Sequence, residues 1–241
     1  MSNNLENICD IIILAGKIID TVEADEFNDK IFVLNRKSSN TEQPKSCIAG
    51  SKAVAKLLEL LHEEQKRSLT NQVKGCGPHL KLIESFDPTD TDVFFLNSEI
   101  EDRVKYDNVD IVHLKATSIE SLLLNFDLPN CRAAYYSDCE NIVFYVSLHC
   151  IYSILTGYYH LPSYLQDKNN FNDVYKKNYN EGMDVSSIPL KTKGDKLFNR
   201  LQYRIEKYKD RGYTCKYVKT DLILPWIKNG FFYGEFTTAI L

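Results

Sequence analysis

The stretch Asp90-Thr91-Asp92-Val93-Phe94-Phe95-Leu96 decides how this chain is read. Its four consecutive β-branched, aromatic and aliphatic residues indicate a buried strand. Ahead of them, Asp87-Pro88-Thr89-Asp90 reads as a turn. Side chains on a strand repeat every two residues, so Asp90 and Asp92 fall on one face at its entrance. Two such carboxylates can hold divalent metal ions against phosphate groups, as phosphoryl and nucleotidyl transfer require. A third acid is expected on a neighbouring strand, and Val109-Asp110-Ile111-Val112 supplies Asp110. Upstream, Ile48-Ala49-Gly50-Ser51 opens a helix marked by Val54, Leu57, Leu58 and Leu61. Backbone amides at a helix start bind phosphate, which makes Gly50 and Ser51 the phosphate-binding candidates.

Outward from this centre, Ile31–Leu34, Leu80–Phe86 and Val109–Leu114 read as strands, and Arg132–Tyr136 with Ile142–Val146 as a hairpin. Helical spacing predicts an amphipathic helix over 4–22, a second at Ile119–Phe126, an apolar one near His149–Leu155 and a late one through Leu197, Leu201, Ile205 and Tyr208. Residues 166–196 are polar and rich in asparagine and lysine, and are expected to be a loop or linker. Within them, Lys191-Thr192-Lys193-Gly194-Asp195-Lys196 has charge and a glycine but no P-loop spacing, so it reads as a solvated lysine-rich loop. The expected class is α+β, dominated by helices. It divides into an N-terminal helical arm (1–28), an α+β core (29–165), the polar linker (166–196) and a helical C-terminal part with an aromatic tail (197–241).

Composition narrows the function. With 29 basic against 33 acidic residues and a net charge of −4, a dedicated nucleic-acid-coating role is not expected. No stretch is long and apolar enough to span a bilayer, and residues 1–20 lack a secretory signal pattern, so an intracellular protein without a membrane partner is expected. Seven cysteines occur without any Cys-x-x-Cys, which argues against a zinc ribbon or a thioredoxin-like site. Most read as buried thiols. Cys9, Cys47, Cys76, Cys139 and Cys215 are candidates for bridges between molecules. His149 and His160 flank the apolar helix and show no acid or nucleophile near them in sequence, so they read as satisfied core histidines.

Two resemblances follow. The Gly50-Ser51 turn, the Asp90-x-Asp92 strand and Asp110 resemble the nucleotidyltransferase superfamily with the polymerase-β-like fold, in the form found in divergent proteins of large DNA viruses. It extends over residues 46–218 through Leu124-Asn125-Phe126-Asp127-Leu128 with Cys131, Thr156-Gly157, and Tyr203-Arg204-Ile205-Glu206-Lys207-Tyr208 before Arg211-Gly212-Tyr213. It implies catalytic Asp90, Asp92 and Asp110, a magnesium or manganese cofactor held by Asp90 and Asp92, and phosphate contacts at Gly50 and Ser51. By overall character (size, fifteen tyrosines, seven cysteines) the chain also resembles polyhedrins, the occlusion-body matrix proteins of insect viruses, of the nudivirus type.

The leading expectation is therefore a viral structural protein without a cofactor. It would assemble with copies of itself around virions inside the infected cell, leave in occlusion bodies and dissolve in alkali. There tyrosines and cysteines ionise above about pH 10 and make the packed molecules repel one another. An exchangeable N-terminal helix and disulfides between molecules would lock that lattice. The alternative is a metal-dependent nucleotidyltransferase built on the three aspartates.

Overall fold

The computed structural model describes residues 3–5, 29–34, 44–70, 82–99, 102–138, 141–179 and 189–228. Ten strands run through them: β1 (Asn3–Leu5), β2 (Ile31–Leu34), β3 (Ser46–Ala49), β4 (Thr91–Phe95), β5 (Asp102–Tyr106), β6 (Val109–His113), β7 (Ala133–Asp138), β8 (Asn141–Ser147), β9 (Tyr158–Pro162) and β10 (Thr214–Val218). The first eight form one mixed sheet in the order β1-β2-β8-β7-β3-β4-β6-β5, and β9 and β10 pair as a separate parallel ribbon. Helices are α1 (Ser51–Thr70), α2 (Ile119–Leu124), α3 (Leu148–Thr156), α4 (Lys168–Asn178), α5 (Leu190–Lys209) and α6 (Pro225–Lys228).

The eight-stranded sheet overturns the helix-dominated class. Short strands escape sequence reading because their surface positions are charged or polar, as with Arg103 and Lys105 on β5 of that sheet and Thr214 and Lys216 on β10 of the separate ribbon. The β7–β8 hairpin, β2, β4, β6 and the helices around Val54, Ile119, Ile151 and Leu201 lie where periodicity puts them. The expected strand at 80–86 does not form over its described part, residues 82–86. There Ile83 donates its N–H to the Ile154 carbonyl at the end of α3, and its own carbonyl receives His62 Nε2 at 2.8 Å. Those backbone groups are satisfied by a helix end and a side chain, which leaves them nothing to give a sheet. The polar stretch 166–196 holds two helices: Asp167 caps α4 by accepting from the Asn169 and Asn170 N–H groups, and α5 starts at Leu190. The N-terminal helix lies outside the described residues except for Leu5 and its neighbours, which form β1 parallel to β2.

One buried cluster runs through the whole molecule. It joins Leu34, Phe94 and Phe144 of the sheet to Leu57 and Leu61 of α1, Ile151 of α3 and Leu201 of α5, and ends at Trp226 and Ile227 of α6. Trp226 stacks on Phe171 with ring centres 6.1 Å apart, and this closes the C-terminal helices onto the rest. Among the described residues, no helix is long and apolar enough to cross a membrane.

Candidate functional site

At the middle of the sheet, β4 is antiparallel to β3 and parallel to β6. That arrangement pairs Asp92 with Ala49 on one side and with Asp110 on the other. Register partners share a face, so the two carboxylates project from adjacent strands, about 5 Å apart at the backbone. The chain leaves β3 through Gly50, whose φ of +79° is the left-handed conformation that glycine takes without cost. A Cβ there would sit 3.9 Å from Asp92 Oδ2 and 3.6 Å from the Phe126 ring. Gly50 donates to the Ala133 carbonyl of β7 at 2.8 Å, and its own carbonyl accepts the first bond of α1, from Val54. Far apart in sequence, the Gly50-Ser51 turn and Asp92 are neighbours in space because β3 and β4 lie side by side.

Asp110 is buried, and its Oδ2 accepts from Arg103 at 2.7 Å, with Lys105 Nζ at 4.0 Å. Both cations come from β5, where Lys105 is the register partner of Asp110. The other oxygen, Asp110 Oδ1, is buried and has no hydrogen-bond partner. Magnesium is normally held by one or two carboxylates together with substrate phosphates. Asp92, Asp110 and the orphaned Oδ1 fit that requirement. Among the described residues no three His, Cys, Asp or Glu side chains gather closely enough to hold an ion by themselves, so Asp90 does not complete a three-carboxylate set.

The C-terminal half of α5 brings a second group of cations within electrostatic reach of Asp92. Arg204 bonds Asp127 Oδ1 at 2.7 Å and remains charged: burial opposes its charge, but Asp127, with Asp92 among the lesser contributors, pulls its pKa above the usual arginine range. Lys207 on the next turn has its pKa lowered by burial and by Arg211, against the opposing pull of Asp90 and Asp92. Arg211 lies over the rings of Phe86 and Tyr208, at 4.5 and 5.0 Å. Segments quoted separately from the sequence thus meet: Phe126 covers Gly50, Asp127 holds Arg204, and Gly157 accepts from the Thr214 N–H while touching Gly212.

The other candidates fare differently. Cys47 is buried on β3 and its thiol is pushed up to about 12 by burial, so a bridge to another molecule through it would require opening the core. Cys215 is half-buried on β10, with its thiol raised to about 11 by burial. Cys9, Cys76 and Cys139 lie outside the described residues. The lysine-rich segment 191–196 is the first part of α5, not a loop; Lys193 is buried there, with its ammonium 5.7 Å from the centre of the Tyr179 ring.

Sequence reasoning missed one constellation entirely. Asp29 reaches Arg132 Nη1 at 2.8 Å with one oxygen and His149 Nδ1 at 3.0 Å with the other, all three side chains being buried. No spacing links residues 120 positions apart, so only the placement of β2 beside β8 could reveal it. Compared with protein-family models, curated proteins and solved structures, the chain matches none.

Proposed function

We propose that the protein transfers a nucleotidyl group from a nucleoside triphosphate, with Asp92 and Asp110 as the divalent-ion ligands. The observation that carries this reading is the pairing of Asp92 with Asp110 across β4 and β6 while Gly50 lies against Asp92. A phosphate bound at the start of α1 would lie directly beside the carboxylates. The first amides of α1 have no acceptor within the helix and point toward that position, and the helix dipole favours an anion there. A magnesium or manganese ion held by Asp92 and Asp110 would neutralise phosphate charge and lower the pKa of an acceptor hydroxyl. Arg103 and Lys105 hold the Asp110 carboxyl in place, and their charge lowers the cost of bringing a triphosphate onto this face. Ser51, at the first position of α1, would donate its hydroxyl to the same phosphate.

The test is transfer of labelled nucleotide from each of the four triphosphates, with magnesium or manganese, to nucleic-acid, protein and small-molecule acceptors. Asp92→Asn and Asp110→Asn should each lower transfer by about 100-fold or more while circular dichroism stays unchanged. If neither transfer nor metal-dependent triphosphate binding occurs in the wild type, the proposal is wrong.

A further inference from the structure

Facing residues 222–225 and the start of α6, Asp29, Asp127, Arg132 and His149 line a cavity of about 410 Å³, within the size range of small-molecule sites. Its remaining walls are mostly apolar, with Leu124, Leu161 and residues 222–225 contributing. Asp127 Oδ2 and His149 Nε2 on this wall have no hydrogen-bond partner, on side chains 2% and 4% exposed, and the His160 ring also lines the cavity. Leaving buried polar atoms unpaired costs about 1–3 kcal/mol each, which marks this wall as a place that a ligand completes.

The charges and hydrogen-bonding roles restrict what that ligand is. Asp29 is matched by Arg132 at 2.8 Å and Asp127 by Arg204 at 2.7 Å, so the interior carries no uncompensated carboxylate and a cation gains little there. The remaining charged group on the wall, Lys228, is exposed to solvent, where it is hydrated already. An anion would meet the lone pairs of Asp127 Oδ2, the oxygen that Arg204 does not reach, at close quarters. The occupant is therefore neutral. His149 Nδ1 faces Asp29 at 3.0 Å, so Nε2 is the nitrogen turned to the cavity, and a neutral ring that donates to Asp29 presents it as an acceptor. Asp127 Oδ2 is an acceptor as well. Two acceptors beside the apolar side chains of Leu124, Leu161 and residues 222–225 call for a flat, apolar body with N–H groups on its edge.

We propose that this cavity binds a small neutral heterocycle bearing an exocyclic amino group, of the aminopurine or aminopyrimidine class, with its N–H groups directed at Asp127 Oδ2 and His149 Nε2. The inference does not rest on nucleotidyl transfer. It requires neither a metal ion nor a phosphate, and Asp92 and Asp110 are not among the cavity's residues.

The experiment is calorimetric titration of the full chain, with a metal chelator present, using adenosine and cytidine against their amino-free counterparts purine riboside and uridine. Adenosine or cytidine is expected to bind at least about tenfold more tightly than its counterpart, the equivalent of one good hydrogen bond. Leu222 is 41% exposed and lines the cavity, so Leu222→Trp should block binding without disturbing the buried charges. Asp127→Asn should weaken binding at least about tenfold; if that variant does not fold, Leu222→Trp decides. Asp110→Asn should leave nucleoside binding unchanged. No heat with any of the four nucleosides, equal affinity for the amino-free pair, or full binding by Leu222→Trp would overturn the proposal. Loss of binding in Asp110→Asn would likewise overturn it, by moving the nucleoside to the carboxylate face.

Discussion

Asp29 is a single carboxylate on which two distant parts of the chain converge. Burial raises its pKa, and the His149 hydrogen bond and the Arg132 charge together outweigh that, holding the carboxyl at about 2 against an ordinary 3.8. The ionised form is thus favoured in the native state. Its contribution is complete above the unfolded value of 3.8 and is lost as pH falls through about 2. Integrated over that window the linkage amounts to about 2 kcal/mol. Asp29→Ala strands two buried bases and should cost roughly 3–5 kcal/mol near neutrality. Urea denaturation of wild type and variant across this range should show the gap narrowing as acid protonates the wild-type carboxyl. A constant gap would mean that Asp29 is held no differently in the folded and unfolded chains. Nothing in the local sequence singles this residue out: an aspartate closing an acidic stretch looks like any solvated one until β2 is laid beside β8.

At the scale of elements, α4 and α5 show how a polar sequence becomes helical. Asparagine and lysine dominate Lys168–Asn178, yet Phe171 and Tyr175, one turn apart, bury against α5 and supply the packing that propensity lacks. The close approach depends on Gly194: a Cβ at that position would collide with Asn172 Oδ1 and crowd the Tyr175 ring. Asn172 in turn donates to Asp195 at 2.8 Å, so the neighbour that must give way is itself tethered. Gly194→Ala should therefore destabilise by about 1–3 kcal/mol through overpacking, against the gain expected for alanine in a free helix. A thermal melt decides between these signs, and a raised midpoint would show that α4 yields. The same logic explains what was legible. Hairpin β7–β8, β4 and β6 announce themselves because their neighbours are near in sequence or their apolar runs are continuous. The parallel β9–β10 ribbon, with its exposed positions taken by Tyr158, Thr214 and Lys216, has no such local signature.

For the whole molecule, Asp92, Asp110 and the Gly50-Ser51 turn are visible in the sequence as residue types and spacing, whereas their meeting depends on sheet order. The helix-dominated class came from weighing strong amphipathic stripes above short, charged strands. Self-assembly into a matrix makes its own prediction at this scale: insect cells producing the chain alone should give sharp powder rings that vanish above about pH 10, where exposed tyrosines ionise. Under the nucleotidyl-transfer proposal the same cells give a dispersed protein and no rings. Interpreting that result depends on the sheet's connectivity, because β2 pairs with β8 and β3 lies between β7 and β4. A ribosome must therefore release residues past Ser147 before the N-terminal strands find their places, and β10 arrives later still to meet β9. Long-range pairings of this kind fold slowly and leave apolar strands unpaired while they wait. Amorphous inclusions during rapid overproduction would be a symptom of that delay, and slower synthesis at lower temperature would reduce them. A true lattice would persist under those gentler conditions.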